Sequence, residues 1–226
     1  MTTCTPDDIL SFWLGTPAAT AEELMHKIRR WYQGTPQLDL EIDARFGELV
    51  EQALDGKLTG FGHEPRSRLA LIIVLDQFAR NLHRGTPRAY AGDARALELA
   101  LGMLEQGQTA ALPLEERLFA IMPLVHAENP KMQDRAVELA EQMVAEAPND
   151  DLRTAWSGGA ARTRHYRDIV RRFGRFPHRN AILGRPSTAD ELAFLEEEER
   201  AQSAAKSHAA ILRGQAVARL LMTMLA

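Results

Sequence analysis

The chain has 226 residues, 45% of them hydrophobic and 26% charged, with a formal net charge of -4 and a pI near 6.0. That balance belongs to a folded globular protein and excludes wholesale disorder, and the net negative charge argues against a general nucleic-acid binder. The one cysteine, Cys4, excludes an internal disulfide framework or a thiolate metal site.

No window of about 20 residues is continuously apolar, so no membrane span is expected. Residues 1–8 lack a basic stretch followed by an apolar run, so no secretory signal is expected. These features fit a cytoplasmic protein. Of the 27 lysines and arginines, only Lys27, Lys57, Lys131 and Lys206 are lysines. Arginine suits bidentate binding of carboxylate or phosphate, and a GC-rich genome produces the same bias.

The punctuation predicts helix after helix. Thr5-Pro6 sets a cap before a first-turn proline, and the run to Trp13 ends at Gly15. Thr20 and Glu23 have capping-box spacing and open a helix to about Gln33. Thr35-Pro36 opens another to Leu54, with Ile42, Phe46, Leu49, Val50 and Ala53 on one face. Pro65 starts the next. Leu69 to Leu75 is apolar without a break, and the helix-tolerant residues that follow favour a helix over a strand. A helix apolar all round belongs at the centre of its domain.

Thr86-Pro87 repeats the start signal, predicting a helix through Tyr90, Ala94, Leu97 and Leu101 to Gly107. Pro113 to about Glu128 follows, with a disturbance expected at Pro123. Pro130 to about Ala147 comes next, then Asp150 to about Phe173, where Gly158-Gly159 is a bend signal and Gly174 a left-handed cap. Arg175 to Pro186 reads as a loop. Ser187 to Asp190 opens the last stretch, with Asp190 at the capping-box position if Ser187 is the cap. Ile211 to Ala226 is amphipathic and suits packing on the body, a surface contact or a homodimer through this C-terminal helix. No alternating strands appear, so the class is all-α. Helices this long on short links form antiparallel pairs, in a bundle or a right-handed array. The whole chain, 1–226, is expected to form one helical domain.

Four segments hold most of the polar residues that sit among apolar neighbours. They are Leu75 to Pro87, Tyr90 to Asp93, Glu116 to Phe119 with Pro123 to Glu128, and His165 to Asn180 with Leu183 to Thr188. Together with Ile9-Leu10-Ser11-Phe12-Trp13-Leu14-Gly15 they resemble the bacterial domain-of-unknown-function family 924, which is placed in the tetratricopeptide-like helical superfamily. The resemblance spans about residues 9–195, leaving 196–226 as a C-terminal helical extension. It is most specific from Arg172 to Thr188, then from Leu69 to Pro87. Leu14 stands where the family has Phe, Ala79 where it has Pro, and His126-Ala127-Glu128-Asn129 is similar to its His-Ser-Glu-Asp element with two changes. The resemblance implies a right-handed array of antiparallel helix pairs, a tetratricopeptide-like superhelix, and implies no activity.

From Arg162 to Arg185 there are eight arginines and one aspartate. If Arg172, Arg175, Arg179 and Arg185 converge, they need anions nearby. Asp76, Asp93 and Glu128 supply them internally if the motifs are architectural. A binding protein instead leaves a guanidinium for an anionic small molecule or an acidic peptide. The ligand-binding candidates are Asp76, Arg80, Asn81, Arg84, Asp93, Arg117, His126, Glu128, His165, Arg172, Arg175, His178, Arg179, Asn180 and Arg185. The alternative is a small-molecule enzyme, such as a hydrolase, with His126 or His178 as general base beside Asp76 or Glu128 and an arginine stabilising developing charge. The histidines lack zinc-helix spacing, and no phosphate loop or Gly-x-Ser-x-Gly elbow occurs, so neither metal nor cofactor is expected. Neither nucleic acid nor membrane is an expected partner.

Overall fold

The structure, a computed structural model, describes residues 4–58, 60–62 and 64–204. The amphipathic stretch Ile211 to Ala226, and dimerisation through it, lie outside the described residues. The chain divides into two compact units, Met1–Arg175 and Phe176–Ala226. Among the described residues there is no strand, and no helix is long and apolar enough to cross a membrane.

The first unit holds α1 (Pro6–Trp13), α2 (Ala21–Gln33), α3 (Pro36–Leu54), α4 (Pro65–Ile73), α5 (Ala79–Leu82), α6 (Asp93–Glu105), α7 (Leu114–His126), α8 (Pro130–Ala145) and α9 (Asp150–Phe173). The starts follow the cap chemistry. The Thr5 and Thr20 hydroxyls accept from the amides of Asp8 and Glu23, whose carboxylates return the bond to the cap backbone. Gly174 closes α9 at φ 71°, its amide donating to the Val170 carbonyl at 2.8 Å. Gly158-Gly159 leave α9 unbroken, and α7 runs through Pro123 to His126. Burial of Phe119 to Val125 on all sides holds α7 together across the missing donor.

Leu69 to Ala79 is buried without interruption, so the central placement expected of this apolar run holds. α4 packs against α1, α6 and α7. Its continuation is not α-helical. Val74–Phe78 forms a π-helical turn, with the Ala79 amide bonded five residues back to the Val74 carbonyl. Gly92 explains why the turn can pack there. A Cβ on residue 92 would lie 2.6 Å from the Leu75 carbonyl oxygen, so only glycine permits this backbone approach. The same contact corrects the helix expected from Thr86-Pro87. Pro87–Tyr90 is a 3-10 turn, and α6 begins only at Asp93, after the chain has passed Gly92.

The aromatics form one interlocked group around Phe78. Its ring centroid lies 5.4 Å from Trp13, 5.1 Å from Phe46 and 5.9 Å from Phe12. Trp13 continues to Phe119 and thence to Trp31, whose indole donates to the Trp13 carbonyl at 2.9 Å. These ring contacts, edge-on except for the tilted Phe46–Phe78 pair, bring side chains of α1, α2, α3 and α7 around the π turn.

Short links make α7, α8 and α9 successive antiparallel neighbours. Arg164 pairs with Glu141 at 3.0 Å and Arg171 with Asp134 at 2.6 Å, so the C-terminal turn of α9 stands beside the start of α8. That is also the end of the layer at which α7 finishes with His126.

In the second unit, Pro177–Arg179 forms a 3-10 turn, and residues 189–204 form helix α10. The cap of α10 is Thr188 rather than Ser187. The Thr188 hydroxyl accepts from the Glu191 amide at 3.2 Å, and the Glu191 carboxylate accepts from the Thr188 amide at 2.8 Å. Glu191 therefore takes the box position expected for Asp190. Ser187 instead accepts from the Asn180 amide group at 3.1 Å.

Candidate functional site

The π turn places Asp76 at the centre of the first unit with no exposure to solvent. Its Oδ1 lies 2.7 Å from His126 Nδ1 and 3.2 Å from Arg80 Nη1, and Gln77 donates to its Oδ2. Arg80 also donates to the Asp76 backbone carbonyl at 2.7 Å and to Asp93 at 2.9 Å, with the Tyr90 ring 5.6 Å from its guanidinium carbon. Burial works against the Asp76 charge. Arg80 and His126, with the hydrogen bonds from His126 and Gln77, outweigh it and hold the carboxyl well below the usual carboxylate range. Burial likewise disfavours the Arg80 cation, and Asp76 and Asp93 overcome it and raise its pKa.

An ionised carboxylate only accepts hydrogen bonds, so the His126 nitrogen facing Asp76 must be the donor. In the neutral ring this fixes the proton on Nδ1 and the basic lone pair on Nε2. His126 closes α7, where backbone carbonyls lack intrahelical partners. Fully buried Gln133, from α8, donates to the Val125 carbonyl at 2.7 Å and the Ala127 carbonyl at 2.8 Å, on either side of His126. The ring is thus held from its backbone by Gln133 and from Nδ1 by Asp76. Its side chain retains 18% exposure.

Of the sequence-predicted residues, the structure brings Asp76, Arg80, Asp93 and His126 together. Arg80 faces two carboxylates, so its charge is balanced within the protein. Asn81 and Arg84 turn elsewhere. Both donate to Asp39, at 2.8 Å and 3.3 Å, in a groove of about 880 Å³ whose lining also includes Asp43, Glu48 and Glu51. Arg117 sits at the opposite end of α7 from His126, nine residues or about 13 Å along the axis. There it pairs with Glu146 and the Ala110 carbonyl. Glu128 lies half-buried in the α7–α8 link, and His165 is exposed on α9. Arg172 stacks on Phe173, with Arg175 at the end of the same unit.

His178, Arg179, Asn180 and Arg185 belong to the second unit. There Arg185 donates to the Asn180 side chain at 3.0 Å and to the Phe176 carbonyl at 3.3 Å, and Arg179 stacks on Phe176. Asn180 also donates to Glu191 at 3.3 Å, so Asn180 and Arg185 fasten the loop ahead of α10. Among the described residues, no three His, Cys, Asp or Glu side chains are placed to hold a metal ion.

A separate cation–aromatic pair, Tyr32 on α2 and Arg162 on α9, has no signal in the sequence. Tyr32 ends α2 and is 41% exposed. Even so, burial raises its hydroxyl pKa far above the usual phenol range, against the opposing pull of Arg162 and with smaller contributions from Tyr166 and Asp76. The Arg162 guanidinium lies 4.8 Å from the Tyr32 ring centroid. Neither residue carries a local pattern. The one available hint was a tyrosine at the polar end of an amphipathic helix.

A family described as "Bacterial protein of unknown function (DUF924)" matches residues 9–199. A solved structure described as a protein of unknown function, ATU0120 from Agrobacterium tumefaciens, is 32% identical. The similarity covers 85% of this chain and 97% of that one, with a TM-score of 0.69. No curated protein matches the chain.

Proposed function

The chain belongs to the bacterial protein family of unknown function DUF924, and from the site it carries we propose a proton-transfer centre in which His126 is the general acid–base and Asp76 its positioning residue. The observation that carries this reading is the 2.7 Å contact between a fully buried, ionised carboxylate and Nδ1 of a partly exposed histidine. Such an arrangement orients the ring, sets its tautomer and stabilises the imidazolium formed when Nε2 takes a proton. The carboxylate sits on a π turn, a helical irregularity found often at functional sites. Within the first unit we propose a tetratricopeptide-like array of helix pairs, a reading supported by the successive antiparallel α7, α8 and α9.

The same geometry supports an enzyme acting on a small molecule more strongly than a protein that binds through Arg80, because Arg80 already faces Asp76 and Asp93. Hydrolysis is the reaction class to test first, with water deprotonated at Nε2. The wild-type chain is expected to hydrolyse activated probes (4-nitrophenyl acetate and bis(4-nitrophenyl) phosphate) faster than background. His126→Gln should lower that rate by about 100-fold while leaving the circular dichroism spectrum unchanged. Equal rates for the two proteins on both probes would contradict the proposal.

A further inference from the structure

Three links in the first unit each bring a proline to the mouth of one pocket. Pro17 stands before α2, Pro113 before α7 and Pro148 between α8 and α9, and all three are exposed. Their fixed φ angles make the rim rigid. The floor is formed by buried Leu24 of α2 and by buried Leu152 and Trp156 of α9, and the cavity holds about 260 Å³. Apolar walls with few polar groups are the composition of a small-molecule site, and this volume suits a ligand of about one ring. Glu115, which also lines the pocket, stands eleven residues before His126 on α7, about 16 Å along the axis. The pocket is therefore separate from the proton-transfer centre.

Two carboxylates reach the pocket, and both are neutralised within the protein. Buried Glu115 accepts from the Ala18 amide at 2.6 Å and pairs with Lys27, and Glu146 pairs with Arg117. Trp156 is different. It is only 6% exposed, yet among the described residues no acceptor meets its indole N–H, which is not sealed from solvent as that of Trp13 is. A buried tryptophan N–H ordinarily has a partner, and the open space that Trp156 borders is this pocket.

We infer that the pocket is a second binding site, for a neutral small molecule that seats one apolar ring on Leu24 and Leu152 and offers a carbonyl oxygen to the Trp156 N–H. Charge balance sets the neutrality. A cation would compete with Lys27 and Arg117, and an anion would face two carboxylates. The unmet donor sets the acceptor, since a ligand carbonyl there satisfies a group that the protein leaves unpaired.

The test uses the full chain and two probes, acetanilide and N-ethylaniline, which share a ring and differ by the carbonyl. The Trp156 indole N–H signal, identified by its loss in Trp156→Phe, should move saturably in the NMR spectrum as acetanilide is added. N-ethylaniline should bind at least about 5-fold more weakly. In calorimetric titrations Trp156→Phe should reduce acetanilide affinity to that level and leave N-ethylaniline within about 2-fold of wild type. Ala18→Phe, which sets a ring into the pocket from half-buried residue 18, should abolish binding of both probes with the circular dichroism spectrum unchanged. No saturation by acetanilide, or affinity unchanged in Ala18→Phe, overturns the inference. Equal affinity of the wild-type protein for the two probes overturns it as well, by removing the carbonyl from the contact with Trp156.

Discussion

Asp76→Ala is expected to lower the stability of the protein by about 3–5 kcal/mol, the cost of breaking a buried ion pair from one side. The carboxylate is fully buried and takes contacts from His126, Arg80 and Gln77. Removing it leaves Arg80 with Asp93 alone and strips the facing groups on His126 and Gln77 of their acceptor. For a chain of this size the melting temperature should fall by roughly 8–15 °C, read by thermal denaturation at pH 7. The pH dependence has a definite sign. The folded carboxyl titrates below its unfolded value, so its contribution is complete above about pH 4 and is lost as pH falls toward the folded value. The gap in melting temperature between wild type and Asp76→Asn should therefore narrow as the pH is lowered through and below the carboxylate range. A gap that fails to narrow there would show that the charge of Asp76 is not what stabilises the π turn.

The second large effect is expected at Phe78, two residues further along the same turn. Its ring has no solvent exposure and meets Phe12, Trp13 and Phe46 from α1 and α3. Phe78→Ala removes that common partner and leaves a cavity between rigid rings that cannot collapse into it. The expected loss is about 3–5 kcal/mol, measured by urea denaturation with the slope unchanged. Because Phe78 belongs to the π turn, repacking around the cavity should also loosen Asp76. The variant should therefore weaken the His126 contact as well as the core. A loss below about 1 kcal/mol would mean the aromatic group does not anchor the turn.

Much of the architecture is written locally. Thr5-Pro6, Thr20 with Glu23 and Thr35-Pro36 each act over one helical turn, so their helices start where the residues require. Gly174 stops α9 for an equally local reason. The π turn has no such signature. Leu69 to Leu75 reads as ordinary apolar helix, and the turn is packed by Gly92, fourteen or more residues away across the core. The exchange of Ser187 for Thr188 as cap has a similar cause, since Asn180 engages the Ser187 hydroxyl from within the preceding loop.

The candidate site divides along the same line. Asp76 and Arg80 are legible as charges on an apolar helix, and His126 as a histidine ending another. Their meeting spans fifty residues and depends on how α7 lies against the turn. Tyr32 and Arg162 meet only through the packing of α2 on α9. Arginine density drew attention to 162–185, yet within α9 most of those cations answer neighbouring carboxylates.

The most direct test is the tautomer of His126, read from the ring nitrogen shifts in a long-range proton–nitrogen spectrum above the pH at which the ring titrates. The account predicts a neutral imidazole protonated on Nδ1 in the wild-type protein, with a shift toward the Nε2-protonated form in Asp76→Leu. A wild-type ring protonated on Nε2, or one whose tautomer ignores the loss of Asp76, would contradict it.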